Sequence, residues 1–259
     1  MSIASVRPGL PLARVNPVAK VAATVPLSIV LILTLDIVSA TVAIVCEIVL
    51  FTLVGLGGLL WSPRTLPVWI AAPLTGISMV LYGAPSGATL WDFGVIHVTE
   101  GSVQIGVATT VRVIAIALPA VVLFLTIDPT DLADGLAQTL KLPSRFVLGA
   151  LAALRLVGSA VDDWRILNLA RRARGVGDSG VIRRSLGQAF SLLVLAIRRG
   201  GTLATAMEAR GFGADVDRTY ARAAHFGWTE WTIIGVGCLV AAASATVAIL
   251  VGSWNVIWS

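Results

Sequence analysis

A chain of 259 residues that is 57% hydrophobic and only 13% charged falls outside the soluble globular class, where charged residues run at about 25%. Its mean hydropathy of +0.90 places it instead among integral membrane proteins. The net charge of +5 is concentrated, since residues 141–222 hold 14 of the 19 Lys and Arg against 6 of the 14 acids. A local basic excess of this kind marks the cytoplasmic side of a membrane protein.

Residues 1–17 are basic and broken by proline, which predicts a loose cytoplasmic arm. The run Val18–Leu35 is apolar apart from Lys20, whose long stem can snorkel. Asp36 interrupts it, and Ile37–Leu60 follows with Glu47 inside. Both runs approach the roughly 20 residues that span a bilayer core. No small-residue cleavage site separates them, so they read as a retained anchor. Pro67–Leu81 is a third expected span, interrupted by Pro73 and Gly76. Tyr82–Gly101 is a polar loop without Lys or Arg, and Ser102–Ile127 is a fourth span that carries Arg112.

Asp128-Pro129-Thr130-Asp131 has the form of a helix start, with a capping side chain and acids at the positive end of the dipole. From there to about His225 no stretch is long and apolar enough to span without carrying charge. Ser144 to about Arg174 places Val147, Leu151, Leu154, Val161, Trp164 and Leu167 at helical spacing. A helix over about Val181–Arg199 follows, with Gly200-Gly201 expected to break it before a short helix Thr202–Arg210. Trp228–Val251 is the fifth span, with Trp228, Trp231, Trp254 and Trp258 as an aromatic belt at its ends. The expected fold is all-α, a polytopic membrane protein of about five spans. Residues 1–127 would form four of them, 128–227 a cytoplasmic bundle of amphipathic helices, and 228–259 the last, leaving the C-terminus outside.

Within the cytoplasmic region the triplet Ala-Arg-Gly occurs twice, at Ala173-Arg174-Gly175 and at Ala209-Arg210-Gly211, with the arginines 36 residues apart. Each stands at an expected helix end. Glycine supplies the positive-φ exit, alanine keeps the surface low, and arginine presents a permanently charged fork suited to a carboxylate. Two such ends fit two matching acidic sites on a partner. Inside the spans, Glu47 and Arg112 are charges that are costly in lipid unless paired or lining a cavity, and a Glu47–Arg112 pair is expected.

On these residues the chain resembles the transmembrane T component of energy-coupling factor transporters, the EcfT/CbiQ-like family, in which a pair of Ala-Arg-Gly motifs lies in cytoplasmic coupling helices. Asn16-Pro17-Val18-Ala19-Lys20, Thr99-Glu100-Gly101 with Val111-Arg112, and Asp128-Pro129-Thr130-Asp131-Leu132 resemble its other recurring segments. Leu154-Arg155-Leu156-Val157 resembles another, although Gly158 stands where proline is frequent. The resemblance implies a non-catalytic subunit of an ATP-driven importer of vitamins or metal ions. Arg174 and Arg210 would dock two ABC ATPase subunits, and a separate small membrane subunit would bind the substrate. It implies no cofactor on this chain, because ATP is bound by the partner ATPases.

Other classes are carried less well. A conventional ABC permease that binds its own substrate would present one coupling loop per subunit, not two Arg-Gly ends. A lipid-modifying membrane enzyme needs converging acids and a metal. Asp128, Asp131 and Asp134 keep a three-residue step, but a helix-capping turn accounts for them. The Gly177-Asp178-Ser179-Gly180 turn lacks partners for nucleophilic catalysis, and His97 and His225 fall on opposite expected sides. Cys46 and Cys238 each lie in an apolar run and read as small hydrophobes, with neither a disulfide nor a metal site expected. No glycine-rich phosphate loop ending in Lys-Ser or Lys-Thr is present. No nucleic acid partner is expected.

Overall fold

A computed structural model of the protein describes residues 12, 15–34, 36–83, 86–93, 96–175, 180–212, 214, 219–220 and 222–253. Arg7, Arg14, Gly177, Asp178, Ser179, Gly213, Trp254 and Trp258 lie outside the described residues. The chain forms two compact units, one of residues 1–132 with 225–259 and the other of residues 133–224. It is an all-α polytopic membrane protein with one small hairpin.

The first unit holds α1 (Pro17–Leu33), α2 (Ile37–Leu53), α3 (Gly57–Leu60), α4 (Leu66–Tyr82), β1 (Thr89–Phe93), β2 (Ile96–Thr99), α5 (Glu100–Phe124) and α9 (Trp228–Val251). The starts of α1, α2 and α5 each have a local cause. Asn16 Oδ1 accepts the Val18 amide at 3.0 Å ahead of Pro17 at the first helical position. Asp36 accepts the Ser39 amide at 2.8 Å to open α2, and Thr99 with Ser102 forms a capping box for α5. The expected polar loop before α5 carries the antiparallel hairpin β1–β2, in which Asp92 pairs with His97.

The second expected span is shorter than its apolar run. Gly55 turns at φ 81°, and the Leu56 amide reaches back to the Phe51 carbonyl at 2.7 Å, which closes α2 at Leu53. Hydropathy does not register such a turn, because every residue around it is apolar.

Leu27 and Leu31 of α1, Ala40 and Ala43 of α2, Ala115 of α5, and Val240 and Ala241 of α9 form one buried cluster. Small residues let these backbones approach closely, as in membrane helix packing generally. One close approach joins α1 to α9, where a Cβ built on Gly237 would lie 2.2 Å from the Ala23 carbonyl oxygen, and another joins α4 to α5. A Cβ built on Gly76 would lie 2.7 Å from the Gly106 carbonyl oxygen, and one on Gly106 would lie 2.8 Å from that of Gly76. The start of α9 is tied to the start of α1. The Glu230 carboxylate accepts the Gly227 amide at 2.8 Å and the Asn16 amide at 3.3 Å, while Asn16 Nδ2 donates to the His225 carbonyl at 3.2 Å.

Lys20 does not snorkel. It is 1% exposed, and its Nζ donates to the carbonyl and the hydroxyl of Thr126 at 3.1 and 3.2 Å. An ammonium satisfied by the end of a neighbouring helix has no need to reach the interface.

α6 (Pro129–Gln138) follows, opened by Asp128, whose Oδ1 accepts the Thr130 amide at 2.7 Å. The second unit contains α7 (Ser144–Ala173) and α8 (Val181–Ala209). Val147 packs with Ala133, Ala137, Leu136 and Leu151. Gln138 ties the first and last segments of the unit together, accepting the Ala224 amide at 2.8 Å and donating to the Arg222 carbonyl at 2.8 Å.

α8 runs straight through Gly200-Gly201, where a break was expected. Each glycine weakens a helix by about 1 kcal/mol relative to alanine. A glycine ends a helix most readily through a positive-φ exit with capping bonds, and neither glycine has a positive φ. By length and composition α7, the Ser185–Ala209 part of α8, α5 and α9 could each cross a membrane, whereas α1, α2 and α4 are shorter apolar helices. The windows of α7 and α8 that qualify carry charge, Arg155 in one and Arg198 with Arg199 in the other. In α7 Arg155 alone interrupts the run 146–161, and in α8 the run 185–197 holds no charge, which leaves an apolar stretch in each.

Candidate functional site

The two Ala-Arg-Gly triplets end the two long helices in the same way. Arg174 caps α7 at φ −87°, ψ 4°, and Gly175 follows at φ 71°. Arg210 caps α8 at φ −92°, ψ 13°, and Gly211 follows at φ 74°. The Gly175 amide donates to the Arg172 carbonyl at 3.1 Å, and the Gly211 amide to the Glu208 carbonyl at 2.9 Å. At α8 the Phe212 amide completes the motif by reaching the Met207 carbonyl at 2.9 Å. A Cβ on either glycine would meet nothing within 4 Å, so the left-handed backbone, and not crowding, calls for glycine at both positions.

The turn itself is not the distinguishing feature. The same bonds close α2 at Gly55, where the apolar Val54 occupies the capping position and Leu56 is buried. What sets the two other ends apart is the surface they present. Ala173, Arg174, Gly175, Ala209, Arg210 and Gly211 are all exposed. Neither Arg174 nor Arg210 forms an ion pair among the described residues. Each end is therefore a small-residue knob with one free guanidinium, able to make two parallel hydrogen bonds to a carboxylate that approaches the backbone closely.

Around these ends the second unit exposes much of its apolar surface. Phe190, Leu193, Val194 and Ile197 of α8 and Leu154 and Val161 of α7 are all exposed. The face predicted from helical spacing exists, and within this chain it is largely uncovered.

The expected pairing of Glu47 with Arg112 does not occur. Both Glu47 carboxylate oxygens are buried without a hydrogen-bond partner, and the residue is 4% exposed. It lines a cavity of about 210 Å³ with Leu27, Phe51, Pro119, Leu123 and Val240. Arg112 Nη2 donates instead to the Ile32 carbonyl at 2.5 Å, near the turn that carries Asp36. The reason is depth. Glu47 lies 11 residues, or about 16 Å at helical rise, along α2 from Asp36, so the two charges sit at different levels of the bundle.

Sequence reasoning missed the polar link between α7 and α8. Arg199 Nη1 and Nη2 donate to Asp163 Oδ2 and Oδ1 at 2.5 and 3.1 Å, and Nη1 also reaches Ser159 Oγ at 3.3 Å. Gln188, 1% exposed, donates to Asn168 Oδ1 at 2.8 Å. In the sequence Arg199 stands beside Gly200-Gly201 and reads as a helix-end charge, which calls for no partner on another helix. A continuous α8 turns that terminal charge into a mid-helix one. Among the described residues no group of three His, Cys, Asp or Glu is placed to hold a metal ion.

Residues 10–220 match the family model described as CbiQ, cobalt transport protein. Several curated relatives carry the description "Energy-coupling factor transporter transmembrane protein EcfT". The one from Bacillus selenitireducens is 29% identical over 250 residues, 89% of this chain and 90% of the relative. That from Brevibacillus brevis is 28% identical over 201 residues, 73% of each protein. That from Limosilactobacillus fermentum is 30% identical over 171 residues, 61% of this chain and 63% of the relative. The family match covers both helix ends and all the apolar helices up to α8, and on that ground the chain belongs to the CbiQ/EcfT family of energy-coupling factor transporter T components.

Proposed function

We propose that this T component couples two ATPase subunits to a separate substrate-binding membrane subunit that imports a vitamin or a metal ion. The observation that carries this reading is the pair of matched ends at Arg174 and Arg210, each an exposed guanidinium with no ion pair among the described residues, on an abrupt helix stop. Each arginine docks in an acidic groove of one ATPase. ATP-driven closure of the ATPase pair then moves the two ends relative to one another. The exposed apolar faces of α7 and α8 hand that motion to the substrate-binding subunit. The basic second unit and the N-terminal arm face the cytoplasm, and the C-terminus lies outside. Substrate choice rests with the other membrane subunit.

The test is charge reversal. Arg174→Glu with Arg210→Glu is expected to abolish co-purification of the ATPases and uptake together, and each single reversal to weaken both. Retention of both in the double variant would overturn the reading.

A further inference from the structure

We propose that the Asp163–Arg199 pair is the pivot of the two coupling helices, a positioning pair that sets the angle at which Arg174 and Arg210 are presented. The inference rests on the coupling role proposed above and adds the point about which that motion turns.

Three observations carry it. First, the link between the helices is polar. No residue of α8 other than Gln188 is buried among its described side chains, and on α7 only Val147 is. Apolar faces slide over one another, since their attraction has no direction. A bidentate guanidinium–carboxylate contact fixes a point and an orientation. Asp163 is the better shielded partner, its side chain 15% exposed against 41% for Arg199, and Ser159 adds a further acceptor for the guanidinium.

Second, the helices run antiparallel through this link. Asp163 meets Arg199, while Asn168, further along α7, meets Gln188, earlier in α8. The two capped ends therefore extend from the link in opposite directions.

Third, the arms are equal. Asp163 precedes Arg174 by 11 residues, and Arg199 precedes Arg210 by 11. Eleven residues make about three turns, or roughly 16 Å, and return to nearly the same helix face. Each of these exposed arginines thus stands about the same distance along its helix from the link. A rotation about the Asp163–Arg199 contact moves both ends by equal and opposite amounts, as two equivalent ATPase grooves require. Without the contact, the neutral Gln188–Asn168 hydrogen bond remains as the weaker link, and more of a pull on either end is absorbed by sliding.

The test uses the complete transporter in proteoliposomes, with ATPase co-purification, ATP hydrolysis and uptake measured on the same preparation. Asp163→Asn and Arg199→Gln are each expected to keep the ATPases bound and to lower uptake per ATP hydrolysed about tenfold. The charge swap, Asp163→Arg with Arg199→Asp, is expected to recover most of it. An unchanged ratio in the single variants would overturn the pivot. So would a swap that assembles without recovery, and so would loss of assembly in Asp163→Asn, which would make the pair a structural brace. Failure of the coupling role itself reads differently, as ATPases still bound after reversal of Arg174 and Arg210.

Discussion

Lys20 of α1 and Thr126, just beyond the end of α5, meet through two hydrogen bonds from one ammonium, at 3.1 Å to the carbonyl and 3.2 Å to the hydroxyl. The start of one helix thereby satisfies the end of another where solvent does not reach. Lys20→Met keeps the stem and deletes the donors, leaving the Thr126 carbonyl without this partner. Stability is expected to fall by on the order of 1–3 kcal/mol, read as a lower midpoint of thermal unfolding in detergent. An unchanged midpoint would show that the contact contributes nothing.

The backbone at Gly175 and Gly211 makes a prediction about side-chain tolerance. At φ 71° and 74° a β-branched residue is strained, whereas asparagine adopts this region readily. Gly211→Asn is expected to retain most ATPase binding, and Gly211→Val to lose most of it while helix content stays the same. Open space around both positions removes crowding as an explanation. Equal behaviour of the two variants, measured by pull-down and circular dichroism, would count against the cap as the determinant.

Glu47 and Arg112 should behave as independent residues. Their side chains have different surroundings, so a double-mutant cycle with alanine at both is expected to be additive within about 0.5 kcal/mol. Glu47→Leu removes a buried carboxyl that has no partner and is expected to raise stability by about 1–3 kcal/mol. A large coupling energy in the cycle would restore the pair that sequence reasoning favoured.

The contact of α4 with α5 depends on two absent side chains. A Cβ at Gly76 or Gly106 would come within 2.7 or 2.8 Å of backbone oxygen on the facing helix, which cannot move as a side chain can. Gly106→Leu is expected to separate the helices and shift the protein toward aggregates in size-exclusion chromatography. Gly58→Ala, where nothing lies within 4 Å, serves as the control.

The apolar helices were legible in the sequence because membrane residence depends on composition, and composition needs no partner to be read. The two arginine-glycine ends were legible for a related reason. A cap is made by residues adjacent in sequence, so Ala173 through Gly175 and Ala209 through Gly211 carry their geometry with them. Gly200-Gly201 misled because glycine permits a break without requiring one, and the bonds that end a helix are absent there.

Pairing was beyond the sequence. Glu47 and Arg112 are both ionisable and both within spans, but their levels in the bundle follow from where α2 starts at Asp36 and how α5 lies beside α1. Asp163 and Arg199 stand 36 residues apart and come together only because α7 and α8 run antiparallel. Sequence alone thus determined that the chain lives in lipid, where most of its apolar runs fall and that two matched arginine ends close two of its helices. Tertiary structure alone decided which charges meet, because a hydrogen bond between distant residues is set by how two helices are aligned, and that alignment is written in no single stretch of the chain.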